Sequence, residues 1–204
     1  SVPPSVNAAL AQGSQVIAPG DQRLSRVTNQ IYAAPKQSLD AAEQHARSVG
    51  LDVIRLGNDL EGEARDVAQE HAKLALATQA KLNAGDPPVV MLSGGELTVT
   101  RRGDGIGGPN AEYCLALALA LDGAPNLWAL ACDTDGVDGA DEVAGACIGP
   151  NTLNTAKTEA IDPAKALAAN DAHGFFKRVG GQIITGPTLT NVNDFRAILV
   201  YPKA

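Results

Sequence analysis

Short apolar runs that end abruptly at glycines or carboxylates constrain this chain more than any other feature. Val89 to Leu92 is unbroken and apolar and gives way to Ser93-Gly94-Gly95-Glu96, and Leu127 to Cys132 gives way to Asp133-Thr134-Asp135-Gly136. Runs of this length suit buried strands. Between them Pro109 to Leu121 reads as an apolar helix, with Pro at a position that tolerates its missing N–H. With 45% hydrophobic but only 3% aromatic residues and 21 glycines, the core must be built from Ala, Val, Leu and Ile between many tight turns. The expected class is α/β, a layered α/β/α sandwich around a mixed sheet.

At 204 residues the chain is long enough to bury a core without staples. Cys114, Cys132 and Cys147 show no Cys-x-x-Cys pairing and read as small buried residues in a reducing, cytoplasmic compartment. A formal net charge of −7 argues against nucleic acid or an anionic membrane as partner, since both ask for a basic face. No apolar run approaches the ~20 residues that cross a bilayer. The opening SVPPSVNAAL lacks an initiator Met and the basic-then-apolar order of a signal peptide, and it reads as a processed boundary.

Along the chain, a helix is expected over Pro4 to Gln12, then a linker, APGDQRLSRVTN. A β-α-β pattern follows: a short strand Gln30 to Ala34, a helix Gln37 to Val49 stopped by Gly50, and a strand Leu51 to Leu56. A helix over Gly62 to Leu82 places Val67, Leu74, Ala75 and Leu82 on one face. Gly85-Asp86-Pro87-Pro88 breaks it and divides the chain into residues 1–86 and 87–204. Beyond the break, Glu96 to Arg102 alternates like a half-exposed strand, short helices are expected near Asp162 to Ala169 and Asp171 to Val179, and strands at Gln182 to Thr185 and Phe195 to Tyr201.

Open α/β sheets bind ligands beyond their strand ends, and four loops there carry chemistry. Ser93-Gly94-Gly95-Glu96 either bares backbone N–H groups to a ligand or makes a hairpin turn. Gly103 to Asn110 enters a helix whose free N–H groups favour phosphate, or is a flexible connection. Asp133 to Glu142 packs five carboxylates into ten residues, which asks for a cation or for solvent. It is not an EF-hand, because the Asp spacing is wrong. Thr185 to Asp194 offers hydroxyls, amides and one carboxylate, suited to phosphate and magnesium or to plain turns. His45 and His71 read as surface or packing residues. His173 either lines a cleft or caps a helix, and Glu61 and Glu63 complement a helix dipole.

SGGELTVT, GGPNAE, ACDTDGVDG, NDAHGFF and TGPTLTNVNDFRAILV, in this order, closely resemble the MOFRL domain of glycerate 2-kinases. Upstream, AAPKQSLDAAEQHARSVGLDVIRLGNDLEGEARDVAQEHAKLA resembles the end of the other domain of the same enzymes, in which Glu63 belongs to a GEAR-like motif beside the cleft. The resemblance implies a chain of about twice this length whose N-terminal half is missing here, with 1–86 ending the first domain as a partial Rossmann-like β-α-β segment and 87–204 forming the MOFRL domain. It implies phosphorylation of D-glycerate to 2-phosphoglycerate with ATP and Mg2+ in a cleft between two domains, and this half is expected to be inactive alone. The catalytic residues so implied are Asp133, Asp135, Asn110 and Glu112. Gly94, Gly95, Glu96, Gly107, Gly108, Gly186, Thr188, Thr190 and Asn191 would bind the nucleotide, and Asp135, Asn193 and Asp194 the metal. The partners implied are a small hydroxy acid and the other half of the polypeptide, with a homodimer left open.

One departure from the family pattern bears on this. The commoner motif reads GGRNQE where this chain has Gly107-Gly108-Pro109-Asn110-Ala111-Glu112, which removes a phosphate clamp that Arg101, Arg102 or Arg196 would have to replace. Positive charge near the loops is scarce, so an essential Lys is expected from the missing half. The competing reading is an NAD(P)H-dependent hydroxypyruvate reductase, because Gly103-x-Gly105-x-x-Gly108 formally matches a dinucleotide fingerprint. Its preceding strand would be polar and alternating, and Asp133 lies beyond the usual interval of ~20 residues. A non-catalytic binding or dimerisation module is the third reading.

Overall fold

The computed structural model describes residues 2–13, 16–139 and 142–203. Ser1–Tyr32 and Ala33–Ala204 form two compact units. The first holds α1 (Pro4–Ala11), which buries no residue, and a 3-10 turn, Gln22–Leu24, capped by the Asp21 carboxylate.

In the second unit the order is α2 (Pro35–Ser48), β1 (Asp52–Gly57), α3 (Ala64–Gln79), β2 (Val89–Gly95), α4 (Pro109–Leu121), β3 (Leu127–Asp133), β4 (Gly145–Ile148), α5 (Thr152–Thr158), α6 (Pro163–Ala168), α7 (Ala172–Val179), β5 (Gln182–Ile183) and β6 (Asp194–Val200). The strands form one mixed sheet in the order β1-β2-β6-β3-β4-β5, in which only β1 and β2 pair in parallel. Its two faces are covered unequally. Met91, Ala129, Ala146, Ile198 and Val200 pack against α3, α4 and α7 in the main core, whereas Val90 and Leu92 pack under Leu39 and Ala46 of α2 alone. α4 is apolar on nearly every side, as a helix enclosed between sheet and neighbouring helices must be.

Several expected elements change. Gln30 to Ala34 forms no strand: Ile31 and Tyr32 are exposed and no neighbouring ladder satisfies the backbone, so the β-α-β unit expected over 30–56 loses its first strand. The parallel β-α-β unit lies one element later, as β1-α3-β2. Glu96 to Arg102 makes a single bridge, Thr98 with Glu63, instead of a strand. The Glu63 carboxylate accepts the Thr100 N–H and hydroxyl, so this segment is tied to the start of α3 rather than to the sheet. β5 is shorter than expected, and β4 and α5 had no counterpart in the sequence reading. Cys114 is buried and Cys132 half-buried, but Cys147 is exposed.

Candidate functional site

Because β2 and β3 both run antiparallel to β6, their C-terminal ends meet its N-terminal end at one edge. Asp194 lies opposite Gly95 on one side and Asp133 on the other. Asp133 accepts the Asp135 N–H at 3.0 Å. The Asp135 carboxylate accepts the Val137 N–H at 2.8 Å and the Asn191 amide at 3.1 Å. The loops after β3 and before β6 are laced together: the Thr134 hydroxyl donates to the Asn193 carbonyl at 2.8 Å and accepts the Val192 N–H at 2.8 Å, and Thr188 N–H donates to the Asp135 carbonyl at 3.1 Å. Gly136 has φ +100°, and a Cβ there would lie 2.3 Å from the Gly186 carbonyl oxygen, so the lacing itself demands glycine.

Beneath this edge runs a buried polar layer. Asp194 accepts the Asn110 amide at 2.7 Å and the Arg196 guanidinium at 3.0 Å. Arg196, only 1% exposed, also donates to the carbonyls of Gly94 and Gly95 and lies 5.9 Å from the centre of the Tyr113 ring. Asp138 is equally buried. Its carboxylate accepts the backbone N–H groups of Asn110 and Ala111 at 2.9 and 2.8 Å and the Asn110 amide at 3.2 Å, and His173 Nε2 stands 3.3 Å away. α4 begins at Gly108 without a side-chain cap of its own, so Asp138 supplies the anion that its first turn attracts.

The glycine turn is shaped by the protein as well. A Cβ on Gly108 would lie 2.3 Å from the Asp138 carbonyl oxygen, one on Gly103 2.5 Å from Ala169 O, and one on Gly107 2.8 Å from Asn170 O. Asn170 caps the turn by accepting the N–H groups of Arg102 and Gly103 at 2.6 and 2.9 Å. Its amide in turn donates to Glu112, which is held from the other side by Arg65 at 2.6 Å.

The edge therefore gathers Asp133, Asp135, Asn110, Asn191, Asn193, Asp194, Gly94, Gly95, Gly186 and Thr188. Glu112, Gly107 and Gly108 belong instead to the contacts that seat α4 and the glycine turn. Glu96 is exposed just past β2, and Thr190 contributes a carbonyl to the Thr188 hydroxyl at 3.2 Å. Arg196 cannot serve as the replacement phosphate clamp, because its guanidinium is buried among four acceptors. Asp141 lies outside the described residues. Sequence reasoning missed Asp138 and Arg65; the signal available for Asp138 was a helix start, Gly108-Pro109, that lacks a capping side chain.

Charge at the edge is poorly balanced. Burial pushes the Asp133 carboxyl up to about 6, with the Asp135 N–H opposing and the Asp135 and Asp194 charges adding to it. Burial likewise raises Asp194 despite Asn110 and Arg196. Among the described residues no Lys or Arg bonds to Asp133 or Asp135, and no three His, Cys, Asp or Glu side chains converge on one point as a metal cage. A groove of about 610 Å³ lies elsewhere, between Leu51, Trp128, Leu130, Cys147 and Leu199, and no charged residue lines it.

The model of the MOFRL family matches residues 89–194. The chain belongs to the MOFRL family. An Agrobacterium vitis protein named putative hydroxypyruvate reductase is 43% identical over 203 residues, which is 98% of this chain and 45% of that protein. The Pyrococcus horikoshii glycerate 2-kinase is 33% identical over 205 residues, 99% of this chain and 46% of the kinase. The crystal structure of Thermotoga maritima glycerate kinase superposes with a TM-score of 0.79 at 32% identity, covering 83% of this chain and 41% of that one. The chain thus spans about half the length of the curated relatives it matches, and it shares the mixed α/β fold of the Thermotoga maritima structure.

Proposed function

We propose that this chain supplies the C-terminal half of an ATP-dependent, cytoplasmic glycerate 2-kinase that converts D-glycerate to 2-phosphoglycerate. The boundary expected between residues 86 and 87 would fall between the paired strands β1 and β2, so the second domain would instead comprise the unit that holds the whole sheet, residues 33–204. The carrying observation is the acidic edge, where Asp133 and Asp135 stand half-exposed without a cationic partner above the neutralised Asp194–Arg196 pair. In the transfer, the C2 hydroxyl oxygen of glycerate bonds to the γ-phosphorus, the bond to ADP breaks and the hydroxyl proton departs. Asp133, half-exposed at the end of β3 and accepting the Asp135 N–H at 3.0 Å, would take that proton. Asp135 and the Asn193 side chain offer the hard oxygen ligands that Mg2+ prefers, and Mg2+ would neutralise charge on the phosphates. Thr188, Asn191 and Gly186 line the same edge for the nucleotide. The missing positive charge would come from the other half, so the 204-residue chain should not turn over alone.

The reductase reading has the name of the Agrobacterium vitis relatives in its favour. Against it, Gly103-x-Gly105-x-x-Gly108 follows no strand, and the first N–H groups of the helix it enters are taken by Asp138. The test is thermal protection of the two-domain polypeptide together with coupled assays. Mg-ATP at about 100 times its Kd should stabilise by about 2.7 kcal/mol, and glycerate should be phosphorylated. Protection by NADH or NADPH instead, with hydroxypyruvate-dependent oxidation, would transfer the chain to the reductases.

A further inference from the structure

We infer that Asp194 and Arg196 are positioning residues that set the geometry of the edge and do not bind the metal, an inference that rests on the kinase reading above. Both oxygens of Asp194 are occupied, one by the Asn110 amide at 2.7 Å and the other by Arg196 at 3.0 Å. A buried carboxylate already matched by a guanidinium has little charge left for a cation. A cation would also have to reach a carboxylate that is only 6% exposed.

What the pair does instead follows from its reach. Arg196 donates at 2.9 and 3.1 Å to the last two carbonyls of β2, Gly94 and Gly95, and so fixes where that strand ends. Asp194 and Asp138 together clamp the Asn110 amide nitrogen at 2.7 and 3.2 Å, which forbids its flipped orientation because the amide oxygen would then face two carboxylates. Asp133 is the direct cross-strand neighbour of Asp194. One ion pair thus joins the end of β2, the start of β6 and the first turn of α4 directly beneath the residues assigned to chemistry. The metal is left to Asp135 with Asn193.

The experiment uses the polypeptide with both halves and ADP, and follows Mn2+ binding by electron paramagnetic resonance beside steady-state kinetics. Asp194→Asn and Arg196→Met should keep the wild-type Mn2+ affinity within about three-fold while kcat falls on the order of 100-fold, the scale of a misplaced reacting group. Arg196→Lys, which keeps the charge but loses the fork, should recover part of kcat. Asp135→Asn should lose Mn2+ affinity at least ten-fold. Arg196→Met strands a buried carboxylate, so the neutral double variant Asp194→Asn/Arg196→Met is included to keep the fold, and it should bind Mn2+ normally with kcat still depressed. Loss of Mn2+ from Asp194→Asn equal to that from Asp135→Asn would overturn the inference and leave the kinase reading standing. A folded wild type that neither binds Mn2+ with ADP nor phosphorylates glycerate would overturn both.

Discussion

The glycine turn at 103–108 and the acidic turn at 133–138 look alike as sequence, each a flexible, polar stretch at the end of an expected strand, yet they end in opposite states. In the glycine turn the backbone is pressed against Ala169 to Asp171 and against Asp138, and the helix terminus it opens onto is filled from within. In the acidic turn Asp133 and Asp135 remain half-exposed, and no cation among the described residues bonds to either. A glycine is required wherever another backbone comes too close for a Cβ, whether that backbone belongs to the protein or faces a ligand. An uncompensated carboxylate is harder to explain by packing, because burial without a partner costs free energy and contributes nothing to cohesion. The acidic turn is therefore the better guide to chemistry.

The comparison is tested most severely by turnover. In the two-domain polypeptide Asp135→Asn should lower kcat by about 100- to 1,000-fold with an unchanged melting temperature, the range found when one charge-stabilising group is removed from a site. Asp104→Asn, in the exposed part of the glycine turn, should leave kcat within about two-fold. Equal losses would mean that both turns serve the reaction.

A second test compares stability at two glycines. Gly108→Ala forces a Cβ to 2.3 Å from the Asp138 backbone and should cost about 2–3 kcal/mol in urea denaturation, as overpacking does. Gly186, at φ +67°, has nothing within 4 Å of its ideal Cβ. There alanine should cost only the left-handed backbone strain, about 1–2 kcal/mol. A milder effect at Gly108 than at Gly186 would break the assignment of the glycine turn to packing.

The smallest expected effect is in pH dependence. The Asp133 carboxyl titrates at about 6 in the folded chain against 3.8 ordinarily. Between these values the folded state holds more protons than the unfolded state, so stability from this group is lost as pH rises through the window. His71 acts in the opposite sense, since burial holds its imidazole down to about 4 and stability falls as pH drops below 6.5. That contribution is common to wild type and Asp133→Asn and cancels in their difference. The Asn variant should therefore gain in melting temperature relative to wild type as pH rises from about 4 to about 6, and Mg2+ should narrow the gap. A difference independent of pH would remove the charge crowding at the edge.

Much of the scaffold was legible. α4 runs from Pro109 to Leu121 as its apolar character and its Pro start indicate, and β3 and β6 lie within a residue of their expected bounds. The failures share a cause. Glu96 to Arg102 alternates like a strand, but alternation does not supply a neighbour to pair with, and Glu63 takes up its backbone and hydroxyl instead. β4, with only Gly145 to Ile148, is too short for any periodicity to show. Motif order singled out Asp133, Asp135, Asn110 and Asp194, which the fold brings to one sheet edge, whereas nothing local marked Asp138 as the cap of a helix that begins 29 residues before it.

By itself the sequence determined which segments are apolar enough to be buried, where glycines and prolines end them, and that carboxylates and amides cluster at strand ends, because these properties depend on neighbours within a turn or two. Only the tertiary structure decided which of those charges are neutralised. Arg196 meets the Gly94 carbonyl across a sequence separation of 102, and Asn110 meets Asp194 across 84, so their pairing depends on sheet register. Register is set by the packing of whole faces against α2, α3 and α4, and no local pattern records it.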